Sequence, residues 1–380
     1  MKRCILLFAA ALLAGNYSYA QDAPTNVVAK GTEEYTIPPL EKVGEGALLR
    51  REFIYPLNRK PTANAHASTL VETPQGILVA FFAGPNEGSD NVGIRMTKLR
   101  EDGSWSWPVE IANGFINDTL RYPTWNPVLF QPKNGDLQLY YKQGPYPDHW
   151  WGMVKTSPDY GGSWSYGRKL GEDEAIGHLI GPVKNKPVQL ADGTIISPSS
   201  TEATVADDER IWKLHVEISE DGGDSWKVIG PINDGEEFDA IQPSILQFAD
   251  GRLMMLARTR QNVIAQSWSS DGGRSWSPVT ATGLPNPNSG TDAVTLRDGR
   301  QLLIYNHKTI EGGERGRDML NLAISDDGVT WKPVMTLENE PSLHGYAYPA
   351  IIQTADGLVH ATYTYDRRGV KYVVVDADKL

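Results

Sequence analysis

Cysteine is all but missing from this chain. The only one, Cys4, sits inside an apolar N-terminal stretch, so disulfides cannot brace the remainder. Long apolar runs are scarce too. Ile5 to Ala14 is too short to cross a bilayer, and nothing later is longer, so no membrane span is expected. With Lys2 and Arg3 ahead of it and Ser18-Tyr19-Ala20 behind, this stretch reads as a secretory signal peptide cleaved after Ala20. A secreted or periplasmic protein is the expectation. Positive charge is also short: the net charge is −11, which argues against nucleic acid as a partner. An acidic protein can still bind an acidic sugar if its cations gather in one cleft. His149, His178, His307 and His344 are scattered, with no two-ligand spacing, and no glycine-rich loop leads from a strand into a helix. Neither a metal nor a cofactor is expected.

Glycine turns are what the chain has in quantity. The segments "TPQGILVAFF", "PKNGDLQLYY", "LADGTIISPS", "FADGRLMMLA", "LRDGRQLLIY" and "TADGLVHATY" share one pattern: a polar residue, a glycine, then apolar residues. The anchor glycines are Gly76, Gly135, Gly193, Gly251, Gly299 and Gly357, about 58 residues apart with one shorter interval. A strand-and-turn repeat of this length predicts one all-β unit, a six-bladed β-propeller of four-stranded blades. We assign residues 21–45 to a leader without a clear period and 46–380 to the propeller. The strand "YVVVD" at Tyr372 to Asp376 and the early strand "REFIYP" near Phe53 are expected to close the ring in one shared blade.

A second repeat lies roughly 30 residues beyond each of the first five anchor glycines. "SPDYGGSW" ends at Trp164, "SEDGGDSW" at Trp226 and "SSDGGRSW" at Trp276; "SDDGVTW" at Trp331 is a shortened copy and "REDGSWSW" at Trp107 a worn one. Ser and Asp side chains can bind turn amides, glycine takes positive φ, and the indole can bury against the next sheet. These octets therefore read as stapled hairpins on the blade rim and not as a repeated site.

The innermost strand of each blade runs into the anchor-glycine turn. Residues nine or ten positions upstream therefore sample the channel mouth, and they include His66, Asn126, Gln242 and Tyr348, with Asp292 seven positions before Gly299 on the same inner strand. Arg258 ends the second strand of the fourth repeat. Polar groups on a shared face of otherwise apolar strands are poor core material and point to a site. Trp150 and Trp151 in "YKQGPYPDHWW" read either as a sugar platform or as packing between blades. Trp and Tyr together far outnumber Phe, which suits sugar surfaces and β-sheet cores alike.

The octets are Asp-boxes, and the chain resembles the sialidase (neuraminidase) superfamily, in particular its BNR-repeat branch, over nearly all of its length. "YPAIIQTADG" resembles the segment that carries the family's tyrosine nucleophile, which places Tyr348 in that role. "IQPSILQFADGRLMMLAR" resembles the segment bearing the tyrosine's acidic partner and one arginine of the carboxylate-binding triad, which places Arg258 there. "VGIRMTKL" with Asp90 ahead of it resembles the loop of the acid–base aspartate, and Glu87 is a neighbouring acid. The departures are specific. His66 stands where the family has its first triad arginine, in "HASTLVETPQG", and Gln242 stands where the acidic partner should be. Met319 occupies the third arginine's register, with Arg315 and Arg317 nearby. A glutamine cannot take a proton from a phenol. The resemblance implies an exo-glycosidase acting on terminal acidic sugars of glycans. A uronate-directed lyase and a non-catalytic carbohydrate-binding propeller stay open beside it.

Overall fold

The computed structural model describes residues 35–205, 209–310 and 316–380. The expected signal peptide, Cys4 and the first part of the leader lie outside the described residues, as does Arg315. Six four-stranded sheets form the blades. Blades 1 to 5 use residues 64–112, 124–169, 188–229, 240–285 and 292–338. Blade 6 takes 346–376 and completes itself with the early strand Leu48–Phe53, which pairs antiparallel with Gly369–Asp376. Both ends of the propeller thus share one sheet, and no open sheet edge is left where the ring meets itself.

Blade 4 shows why the glycine pattern gives these strands. Its first hairpin turns at Asp250-Gly251, where Gly251 has φ +87° and the Asp250 carboxylate accepts from the Arg252 amide at 3.0 Å. Apolar residues then alternate, so each sheet has two apolar faces that pack against the neighbouring blades. Leu78 and Ile94 of blade 1 meet Leu129 and Leu139 of blade 2, and Leu302 and Leu320 of blade 5 meet Ile351 and Val373 of blade 6.

The octets join the third and fourth strands of blades 2 to 5. In blade 4, Ser269 Oγ donates to Asp271 at 2.8 Å and accepts from the Gly273 amide at 2.9 Å, while the Ser275 amide donates to the same carboxylate at 2.9 Å. Trp276 Nε1 donates to the Gly273 carbonyl at 3.0 Å. Gly273 has φ +84°, and a Cβ there would stand 3.0 Å from Ile196 of the preceding blade. The indole of Trp226 likewise packs on Tyr140 of the preceding blade, ring centroids 6.1 Å apart. The octets are staples between blades. Trp331 is buried, whereas Trp164, Trp226 and Trp276 are half-buried.

The inner strands carry a feature that the sequence pattern alone does not display. The residues nine positions before the anchor glycines are Ala67, Asn126, Lys184, Gln242, Gly290 and Tyr348. All except Gly290 are left-handed, with φ of +52°, +39°, +72°, +58° and +51°. In blades 1, 2, 4 and 6 the pairing with the second strand slips at this point, making a bulge. Bulges re-aim side chains, and here they turn one residue per blade toward the axis.

Candidate functional site

The strongest convergence lies where blades 4, 5, 6 and 1 meet the axis. Tyr348 Oη accepts from Arg258 Nη1 at 3.0 Å and from Gln242 Nε2 at 3.2 Å. The same Arg258 nitrogen reaches Gln242 Oε1 at 3.2 Å, and Arg258 Nε donates to Asn288 Oδ1 at 2.9 Å. Arg317 Nη2 donates to the Asn288 carbonyl at 2.7 Å, so Asn288 ties two guanidinium groups together. The Arg258 guanidinium also lies over the Trp212 ring, 5.1 Å from its centroid.

On the other side of Tyr348 lies His66, its ring centroid 4.1 Å from the phenol ring. His66 Nδ1 shares a 2.9 Å hydrogen bond with Thr364 Oγ1, while Nε2 is buried with no hydrogen-bond partner among the described residues. Burial, followed by the fields of Arg367, Arg317, Arg258 and Lys184, holds the imidazole well below its ordinary pKa. His66 is therefore neutral near pH 7, with one ring nitrogen uncommitted. His66 itself precedes the left-handed Ala67, so it is one residue out of register with Tyr348. The bulge in each strand brings the two rings together.

Cations outnumber acids here. Burial and the nearby Arg258 push Arg317 down to about 9. Arg367, from the turn between the second and third strands of blade 6, pairs with Glu87 of the loop between the second and third strands of blade 1. Glu87 is thereby held as a counter-ion. Asp90, on the same loop, is exposed and has no side-chain partner among the described residues. Glu202, at the end of the second strand of blade 3, is half-buried. Burial raises its pKa against the opposing fields of Arg258, Arg210 and Arg260.

Two expected contacts of a ligand are corrected. Asp292 is 1% exposed, and its carboxylate is already used. It accepts from Lys186 at 2.9 Å, Ser244 at 3.1 Å and the amides of Ala293 and Ile351 at 2.9 Å. It braces four blades and has nothing left to offer a substrate. Trp150 is 4% exposed and packs with Trp125, Ile180 and Val183, so its face is closed to a sugar. Asn126 reaches the axis from blade 2 but is buried, without a side-chain hydrogen bond among the described residues. Sequence reasoning missed three groups. Lys184 stands nine residues before Gly193, so the rule that found Tyr348 would have found it in the third repeat. Arg367 and Glu202 occupy positions that no repeat marks.

The BNR repeat-like domain model matches residues 75–361, three-quarters of the chain and all of the axial residues except Ala67. The chain belongs to the BNR repeat-like family. This BNR protein is 24% identical to the anhydrosialidase of Macrobdella decora over 252 residues, covering 60% of the chain but only 31% of that relative's length. Among solved structures it resembles a protein of unknown function from Dyadobacter fermentans, with a TM-score of 0.71 at 19% identity, covering 88% of this chain and 100% of that one. It also resembles the NanB sialidase of Streptococcus pneumoniae, with a TM-score of 0.64 at 15% identity, covering 84% and 69%. These likenesses concern the fold: the six-bladed propeller of the BNR protein matches that of a sialidase structure.

Proposed function

We propose that this protein is an exported exo-glycosidase that removes terminal acidic sugars from glycans in the manner of a sialidase. The observation that carries the reading is the set Arg258, Arg317 and Arg367 crowded around Tyr348 in a chain of net charge −11. Guanidinium groups brought together with one paired acid between them form a site for an anion of carboxylate geometry. Arg258 grips the sugar carboxylate beside the anomeric carbon. Tyr348, its oxygen held by two donors, attacks the anomeric carbon as its phenolic proton passes to His66 directly or through a water, the glycosidic C–O bond breaks, and Asp90 gives its proton to the leaving oxygen; water then displaces the sugar from the tyrosine. The names of the leech and pneumococcal relatives support the same substrate class. Export follows from the basic end, apolar run and Ala20 cleavage site.

One observation favours a second reading, β-elimination from a uronate. Gln242, and no carboxylate, touches the Tyr348 hydroxyl, while the neutral His66 has a free nitrogen. A base at this place would remove the proton α to the carboxylate. Its electrons form the C4–C5 double bond, the C4–O bond breaks, and the departing oxygen takes a proton from the second of the pair. The arginines offset the charge that builds on the carboxylate. A panel of sialylated and uronate-containing oligosaccharides distinguishes the readings when reducing-sugar release and absorbance of an unsaturated uronate are followed together. Sugar release without absorbance is the expected result. Absorbance gain selects elimination, and tight binding with neither signal rejects both for a binding propeller.

A further inference from the structure

Lys184 and Asn185 lie on the chain just ahead of blade 3, yet their side chains bind backbone carbonyls in or just ahead of blades 4, 5 and 6. Lys184 is 2% exposed. Its Nζ donates to Asn185 Oδ1 at 2.7 Å, to the Thr291 carbonyl at 2.6 Å and to the Pro349 carbonyl at 2.5 Å. Asn185 Nδ2 donates to the carbonyls of Gln242 at 2.9 Å and Pro243 at 3.1 Å. The carbonyls reached belong to the axial Gln242 and to the residues directly after Gln242, Gly290 and Tyr348. They are therefore the peptide groups whose orientation sets where Gln242 and Tyr348 point. Both of those residues are left-handed without being glycine, a backbone state that costs about 1–3 kcal/mol and persists only where the surroundings fix it.

Gly290 explains why one blade lacks an axial side chain. A Cβ there would stand 2.9 Å from Lys184 Cε and 3.2 Å from Gln242 Oε1. The space that a side chain of blade 5 would fill is taken by the lysine stem. Three close acceptors around one nitrogen match the three protons of an ammonium; a neutral amine would leave one of them without a donor. Burial pushes Lys184 down to about 7, but the acceptor set favours the charged form, and we take the ammonium as the state that holds the site together.

We propose that Lys184 and Asn185 are positioning residues, an axial clamp that holds the strained turns of blades 4 and 6 so that Tyr348, Gln242 and Arg258 meet. The proposal rests on Tyr348 as the reactive group of the proposed site. Its test reads the position of the ring and not turnover, so the two readings fail separately.

The test is ¹⁹F NMR of the full chain carrying 3-fluorotyrosine at position 348, in the wild-type background and with Lys184→Met or Gly290→Ala. Asp271→Ala serves as the control, since it loosens a rim staple remote from the axis. The wild type should give one sharp resonance that Asp271→Ala leaves in place. Lys184→Met should shift or broaden it. Gly290→Ala, which keeps the lysine but presses on its stem, should move it too, and it carries the test alone if Lys184→Met does not fold. A resonance unmoved by both axial substitutions overturns the proposal. So does an equal change in Asp271→Ala, because that would report general loosening.

Discussion

At the scale of single residues, Tyr348 is held from two sides: by donors to its oxygen and by the imidazole against its ring. If His66 and Tyr348 act as one unit, His66→Ala and Tyr348→Phe should each lower turnover by about a hundredfold or more, and the double variant should be little worse than either. Steady-state kinetics on the substrate found in the oligosaccharide panel checks this, and full activity in His66→Ala removes the histidine from the mechanism. Arg258 makes a separate prediction. Lysine lacks the planar fork, so Arg258→Lys should weaken an acidic ligand about tenfold, the ~1.4 kcal/mol of a charge-assisted hydrogen bond. A methyl ester of the same sugar should show little change, as titration calorimetry of both ligands would reveal.

Elements follow rules that single residues do not show. The Asp-boxes repeat because each has the same hydrogen-bonding task. Hydrogen bonds from the Ser275 side chain and amide hold Asp271 down to about 2. Asp271→Ala should lower unfolding free energy by about 1–3 kcal/mol through the lost turn bonds, while KM of the folded protein stays unchanged; urea melts alongside kinetics test both halves. The anchor glycines and boxes were legible because a turn that needs positive φ or a captured amide admits few residue types. The inner-strand bulges were harder to see. Pro127, Pro243 and Pro349 each follow a left-handed residue, but Ser68 and Asn185 do so as well, so no residue type marks the bulge.

For the whole molecule, ring closure and three histidines held below their ordinary pKa each carry a stability prediction. Removing residues up to Phe53 takes away the outer strand of blade 6 and leaves Gly369–Asp376 as an open edge. The truncated chain should melt at lower temperature and associate, which calorimetry and light scattering would show. His66, His307 and His360 are all held below their ordinary pKa, by burial first in each case. The unfolded chain therefore binds more protons than the folded one as pH falls below about 6.5. Stability should be level above that value and decline as pH is lowered from about 6.5 toward 4, by up to about 1.4 kcal/mol per pH unit for each histidine. Denaturant melts across that range test the slope; a flat profile would mean that these rings are not held neutral.

The sequence by itself determined the blades, their number, the rim staples and the shared closing sheet, because each is a short-range pattern repeated at a readable interval. It also pointed to Tyr348, His66 and Gln242, nine or ten residues ahead of the repeat glycines, and to Arg258 at the end of the second strand of the fourth repeat. Only the tertiary structure decided that Arg367 joins them, that Arg317 is tied to Arg258 through Asn288, and that Asp292 is spent on bracing four blades. It alone showed Trp150 closed off between blades and Lys184 reaching from just ahead of blade 3 to carbonyls in or just ahead of blades 5 and 6. The physical reason is where each constraint lies. A turn is fixed by its own few residues, whereas a side chain's partner at the axis comes from whichever blade the closed ring places beside it.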